Sequence, residues 1–130
     1  MTAQFTLTRV LDCTPGTAWH LVTDPEQMRR WSTARVDLAD PGPGERPDSA
    51  GALRTITLPD GKHRLREVVE HADWPREFRY RVYDGGPVAE AVTTCELDEH
   101  ERGTRVRYEV VLTPSAGVAG YAVPALARLQ

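Results

Sequence analysis

Between Leu11 and Ser32 the chain reads LDCTPGTAWHLVTDPEQMRRWS, and two acceptor-proline steps inside it constrain everything around them. Thr14 before Pro15 and Asp24 before Pro25 each put a side-chain acceptor at a helix N-cap and a proline at the first helical position, where a missing N–H costs nothing. Gln27 stands three residues after Asp24, the spacing of a capping box. Because Pro25 disfavours continuation, the first helix runs from Pro15 to about Thr23, and the second ends near Trp31 to Ser32. Helices this short cannot form a bundle, so they must be wedged against something larger.

That larger body is a sheet. Alternation predicts strands over 4–11, 35–39, 52–58, 62–71, 77–83, 88–97 and 104–113. Asp60-Gly61, Trp74-Pro75, Gly85-Gly86 and Arg102-Gly103 mark tight turns, which make the last five strands antiparallel neighbours. Only 40–51, DPGPGERPDSAG, is long and irregular. From Pro114 the alanine-rich SAGVAGYAVPALARLQ predicts a final helix disturbed at Pro124. Two stub helices cannot cover one face of seven strands, so this last helix is expected across the concave side. The fold class that follows is α+β. It is a helix-grip arrangement with a seven-stranded antiparallel sheet, two short helices after the first strand and a C-terminal helix, in one domain over 1–130.

The composition excludes several functions. The formal charge is −3 and the charges are interspersed, against the clustered basic face that nucleic acid needs. No apolar run approaches the roughly 20 residues of a membrane span, and MTAQFTLT lacks a signal pattern, so a cytoplasmic protein is expected. Lys62 is the only lysine, and the wealth of arginine, alanine, proline and glycine points to a GC-rich bacterial gene. Cys13 and Cys95 read as free, buried small residues. His20, His63, His71 and His100 have no metal-ligand spacing, and no nucleophile elbow or phosphate cradle occurs, so neither metal nor cofactor is expected.

Leu11, Cys13 and Pro15 with Trp19, Thr23-Asp24-Pro25-Glu26 and Trp31 open a longer series of motifs. Gly51 with Arg54, Asp60-Gly61, Glu67, Tyr80 with Val82, and Gly103-Thr104-Arg105-Val106 continue it. Together they resemble the polyketide cyclase/dehydrase branch of the START-like (SRPBCC, birch-allergen-like) superfamily, over essentially the whole chain. The resemblance implies a helix-grip fold around a cavity for a hydrophobic ligand, with no redox cofactor. It does not select among cyclases, dehydratases, hydrolases, lipid carriers, sensors and chaperone activators. The terminal helix here is shorter than the family pattern.

Register arithmetic names a cluster. On a two-residue Asp60-Gly61 turn, Ile56 faces Leu65 and Arg54 faces Glu67, on the apolar and therefore inward face with Leu58 and Val69. With Pro75 inside a two-residue turn, Val69 faces Tyr80, which leaves Tyr80 diagonal to Glu67 at roughly 7 Å. The same alternation turns Ala91, Thr93, Cys95, Tyr108 and Val110 inward, and Ala89, Ala91 and Thr93 are small enough to leave a hollow. Arg9, alternating with Leu7 and Leu11, would be a second inward arginine.

Two readings of the cluster stand. Arg54 and Glu67 hold the sheet register, since removing one buried charge strands the other. Alternatively, Arg54 stabilises an enolate or carbonyl oxygen, Glu67 orients it, and Tyr80 or Tyr108 donates a proton. Trp31 either stacks on a planar ligand at the cavity mouth or joins Trp19 as a packing wedge. The expected activity is cyclisation or dehydration of a hydrophobic oxygenated molecule, presented by an acyl carrier protein in the enzymatic reading. Arg54, Glu67 and Tyr80 would act within a lining of Trp31, Arg9, Ile56, Val69, Ala91, Thr93 and Tyr108. The alternatives are a non-enzymatic carrier or sensor and a chaperone-activator module.

Overall fold

The computed structural model describes residues 2–28, 30–84 and 88–114. Within them lie β1 (Ala3–Leu11), α1 (Pro15–Thr23), α2 (Pro25–Met28), β2 (Arg35–Asp40), β3 (Leu53–Thr57), β4 (Arg64–Asp73), β5 (Glu77–Asp84), β6 (Val88–His100) and β7 (Gly103–Pro114). The expected C-terminal helix, the Gly85-Gly86 turn and the Ala89 side chain lie outside the described residues.

α1 starts as its sequence requires. The Thr17 N–H donates to Thr14 Oγ1 at 3.3 Å, and the Ala18 N–H donates to the Thr14 carbonyl at 2.8 Å. Asp24 then caps α2, its Oδ1 accepting the Glu26 N–H. Two expectations fail here. Gln27 forms no capping box but accepts from Arg30 Nη1, and α2 stops at Met28, after which the Trp31 and Ser32 N–H groups fold back onto the Met28 carbonyl as a turn.

The strands form one antiparallel sheet in the order β1-β7-β6-β5-β4-β3-β2. Arg54 pairs with Glu67, Ile56 with Leu65 and Val69 with Tyr80. The last pairing arises by an unexpected route. Asp73 pairs with Glu77, so three residues rather than two connect β4 to β5, and a bulge at Glu70 absorbs the extra one. At the β6–β7 hairpin the turn residues are Glu101 and Arg102, and Gly103 is the first residue of β7 rather than part of the turn. Gly103 has φ +136°, and a Cβ there would lie 2.0 Å from the Leu11 carbonyl oxygen. Beside it, Thr104 Oγ1 donates to the Cys13 carbonyl at 2.8 Å, which fixes the corner from which α1 leaves the sheet.

Two apolar clusters fill the concave side. Trp19, Val22, Val69, Phe78, Tyr80, Cys95 and Tyr108 form one beneath α1, and Met28, Val36, Ile56, Leu65, Val82, Ala91 and Leu112 form the other. Trp19 is fully buried, edge-on to Phe78 at 5.4 Å, and its Nε1 donates to Asp48 Oδ2 at 2.7 Å. Asp48 also takes a two-pronged contact from Arg46, so the irregular 40–51 loop is tied to the wedge. Burial alone would raise the Asp48 carboxyl, but the Arg46 and Trp19 hydrogen bonds and the Arg46 charge bring it below its ordinary value. Cys95 is buried, which pushes its thiol up to about 12, whereas Cys13 is only half-buried, against expectation.

Gly103→Ala should cost about 2–4 kcal/mol, because a strained φ and a backbone clash coincide there. Gly61→Ala, at φ +70° with nothing within 4 Å, should cost only about 1 kcal/mol. Urea denaturation measures both. At the β3–β4 hairpin the Asp60 carboxylate accepts the Lys62 and His63 N–H groups and contacts the His63 ring, which lowers it from 3.8 to about 2. A depressed carboxyl contributes stability above its unfolded value and loses it as pH falls toward the folded one. The stability gap between the natural chain and Asp60→Asn should therefore be constant near neutrality and narrow between pH 3.8 and about 2.

Candidate ligand site

Arg54 and Glu67 face each other in the middle of the β3–β4 ladder, and neither side chain is exposed at all. Arg54 Nε and Nη2 both lie 2.5 Å from Glu67 Oε1. Nη1 donates to the Thr23 carbonyl at the end of α1 at 2.8 Å and reaches Met28 Sδ of α2 at 3.7 Å. The guanidinium carbon sits 5.0 Å from the Tyr80 ring centroid and 5.4 Å from that of Phe78, within cation–π range. One cation on β3 therefore touches both helices and the two neighbouring strands β4 and β5. Burial pushes the Glu67 carboxyl up, and the Arg54 charge and hydrogen bond oppose it. Tyr80 is pushed up by burial and then by the Glu67 charge, so its phenol stays protonated and can only donate or accept as a neutral group.

Two hollows open near this hub, and they differ in capacity. The first is lined by Glu67, Tyr80, Thr93, Ile56, Ala91 and their apolar neighbours, and holds about 30 Å³. That volume is enough for roughly one water and for no organic ligand. The space expected beside the small residues Ala91 and Thr93 is thus mostly filled. The second is an open recess of about 350 Å³ between β1, β7, α1 and the turn after α2, lined by Leu7, Arg9, Leu11, Leu21, Val22, Arg30, Trp31, Val106 and Tyr108. This falls in the range of sites that hold small molecules.

The residues singled out from sequence separate accordingly. Glu67, Tyr80, Ile56, Ala91 and Thr93 border the small hollow, while Trp31, Arg9 and Tyr108 border the large recess. Arg54 and Val69 line neither, being enclosed by packing. Arg9 is on the expected face but does not reach the interior. It sits exposed on the edge strand, with Nη1 on its neighbour's Thr8 carbonyl. Trp31 is 37% exposed, yet its Nε1 donates to the Leu21 carbonyl at 2.7 Å, and its ring lies 6.1 Å from that of Tyr108. The Tyr108 hydroxyl is buried with no hydrogen-bond partner among the described residues, and burial beside Cys95 raises its pKa. The β1 and β7 alternation carried the signal for Leu7, Leu11 and Val106. Nothing in the sequence marked Arg30, or Asp48 as the partner of Trp19.

The enclosure of the ion pair is measurable. Arg54→Met alone and Glu67→Leu alone should each cost about 3–5 kcal/mol by leaving a buried charge uncompensated, and the double substitution should recover most of that loss. Guanidinium denaturation of the four chains gives the coupling. Singles within about 1 kcal/mol of the natural chain would show that the pair does not hold the helices to the sheet.

A family model described as polyketide cyclase / dehydrase and lipid transport matches residues 2–130. No curated protein matches the chain. Among solved structures, major latex-like protein 151 from Panax ginseng is 12% identical with a TM-score of 0.69, the alignment covering 98% of this chain and 92% of that one. Protein CV1439 from Chromobacterium violaceum is 16% identical at TM-score 0.67, covering 96% and 90%. XoxI from Bacillus cereus is 19% identical at TM-score 0.69, covering 98% and 87%. Identities this low speak to the fold alone. The match across 2–130, on a seven-stranded antiparallel sheet gripped by two short helices, makes the chain a member of the polyketide cyclase/dehydrase and lipid transport family, with the helix-grip fold of the SRPBCC superfamily.

Proposed function

We propose that this chain, acting as one domain, binds an apolar, oxygen-bearing small molecule in the recess between β1, β7, α1 and the turn after α2. The observation that carries this reading is the pairing of an apolar recess of about 350 Å³ with a Tyr108 hydroxyl that meets no oxygen or nitrogen partner among the described residues and has only the soft Cys95 thiol beside it. A buried phenol without such a partner forgoes one hydrogen bond, and a ligand carbonyl or hydroxyl would restore it. Trp31 supplies a broad apolar wall whose orientation its bond to Leu21 already fixes, so little freedom remains to be lost on binding. Arg54 and Glu67 act in this reading by holding the helix pair that forms the recess.

A second reading, cyclisation or dehydration, is favoured by Glu67, Tyr80 and Thr93 on the wall of the adjoining hollow. That hollow of about 30 Å³ would have to open to admit a substrate, free or on an acyl carrier protein, before a protonated Tyr80 could polarise its carbonyl.

Calorimetric titration with 2-acetylnaphthalene, a flat aromatic ketone, tests the first reading. Binding is expected, weakened about tenfold by Trp31→Ala and about threefold to tenfold by Tyr108→Phe. A chain that takes up no heat with this ketone, or Trp31 and Tyr108 variants that bind as the natural chain does, would refute the recess as the site. Turnover of an enolisable polyketone that vanishes in Tyr80→Phe while affinity is retained would establish the second reading.

A further inference from the structure

Two arginines occupy the recess rim, and no carboxylate joins them in its lining. In a chain with more acidic than basic residues this is an uneven local charge. Several other arginines meet carboxylates: Arg35 faces Asp37, Arg46 faces Asp48, Arg81 faces Glu70, and Arg107 lies between Glu96 and Glu109, whereas Arg64, Arg76, Arg79 and Arg102 lack such a partner among the described residues without sharing an apolar recess. Among the described residues Arg9 and Arg30 donate to neutral acceptors, the Thr8 carbonyl and Gln27 Oε1. Arg9 is also out of pattern for its strand. Leu7 and Leu11 on either side of it line the recess floor, and the face that carries Thr6, Thr8 and Val10 was open to it one residue away.

From this we infer that the ligand carries an anionic group, a carboxylate in the simplest case, held at the recess mouth by Arg9 and Arg30 with its apolar body running inward to Trp31 and Tyr108. The inference rests on the recess being the binding site. A guanidinium presents parallel donors that match the two oxygens of a carboxylate, and low-dielectric apolar walls strengthen the attraction beyond what two exposed cations would exert in open water. The floor of Leu11, Leu21, Val22 and Val106 offers nothing to a second charge, so the ligand class is an amphipathic acid with one charged end. An oxygen deeper in its body would meet the Tyr108 hydroxyl.

Two probes of nearly equal shape separate this inference from the reading beneath it. 2-Naphthoate and 2-acetylnaphthalene share a skeleton and differ by a carboxylate against an acetyl group. Calorimetry at low ionic strength should find the acid bound about fivefold to tenfold more tightly than the ketone. That preference should shrink at high salt, and the double variant Arg9→Gln/Arg30→Gln should bring the acid down to the affinity of the ketone. Both arginines are exposed, and far-UV circular dichroism checks that the variant folds. If the ketone binds and the acid is no tighter, or if the double variant keeps the preference, the anionic ligand is ruled out while the recess stands. If neither probe binds, both fall together.

Discussion

A guanidinium and a carboxylate taken out of water together depend on each other and on the neighbours that share their charge, the more so here because Glu67 Oε2 has no hydrogen-bond partner among the described residues. Arg54 meets Glu67 along the ladder, the Thr23 carbonyl where α1 runs out of its own donors, the Met28 sulfur, and two ring faces from β5. The carbonyls that end a helix carry a partial negative charge, so a cation there is favourably placed. The contact that completes the ion pair is therefore the contact that seats the helices. Trp19 fills the space beneath α1, but it is Arg54 that ties the end of α1 and the start of the next turn to one point on the sheet.

The same pair divides the concave face. Along β3 the inward residues run Ala52, Arg54, Ile56, and along β4 they run Val69, Glu67, Leu65. In each strand one apolar cluster lies on one side of the charge and the other cluster on the far side. On the Trp19 side the helix pair packs down and leaves an open recess against β1 and β7. On the Met28 side the packing closes to a void of about 30 Å³. The inward Arg54–Glu67–Tyr80 constellation is accordingly not the lining of one large chamber. Its members face packing or the small void, and the larger space is bordered by residues from other elements.

Much of this was legible because period-two alternation and turn chemistry act locally. The β3–β4 hairpin is centred between Asp60 and Gly61, so the Arg54–Glu67 pairing follows from counting, although the ladder closes at Leu58 and His63 with four residues rather than two in the loop. The Val69–Tyr80 pairing agrees with a two-residue turn only because two departures from it cancel. The Trp74 connection is one residue longer than a tight turn, and the bulge at Glu70 removes the difference, a compensation that alternation cannot reveal. Curvature and depth were less accessible. Alternation says that Arg9 and Tyr108 point to the same side of the sheet, but not that β1 is an edge strand whose arginine stays in solvent while Tyr108 is buried. The loop Asp48, which accepts from Trp19 across 29 residues, has no local signature at all.

The position of the recess follows from how little helix the opening segment contains. α1 has nine residues and α2 four, and Pro25 separates them, so they cannot lie flat along seven strands. Arg54 and Trp19 hold them toward the middle of the sheet, and among the described residues the inner face of β1 stays partly exposed beside the recess. Leu7 and Leu11 remain partly exposed, and the turn after α2 brings Trp31 and Arg30 to their edge. Apolar surface exposed beside a fixed indole and the Tyr108 phenol gains free energy from any ligand that excludes water from it. Charge at the rim then selects which ligand does so. The short helices that first identify the fold thus also shape the recess, through where they sit among the described residues.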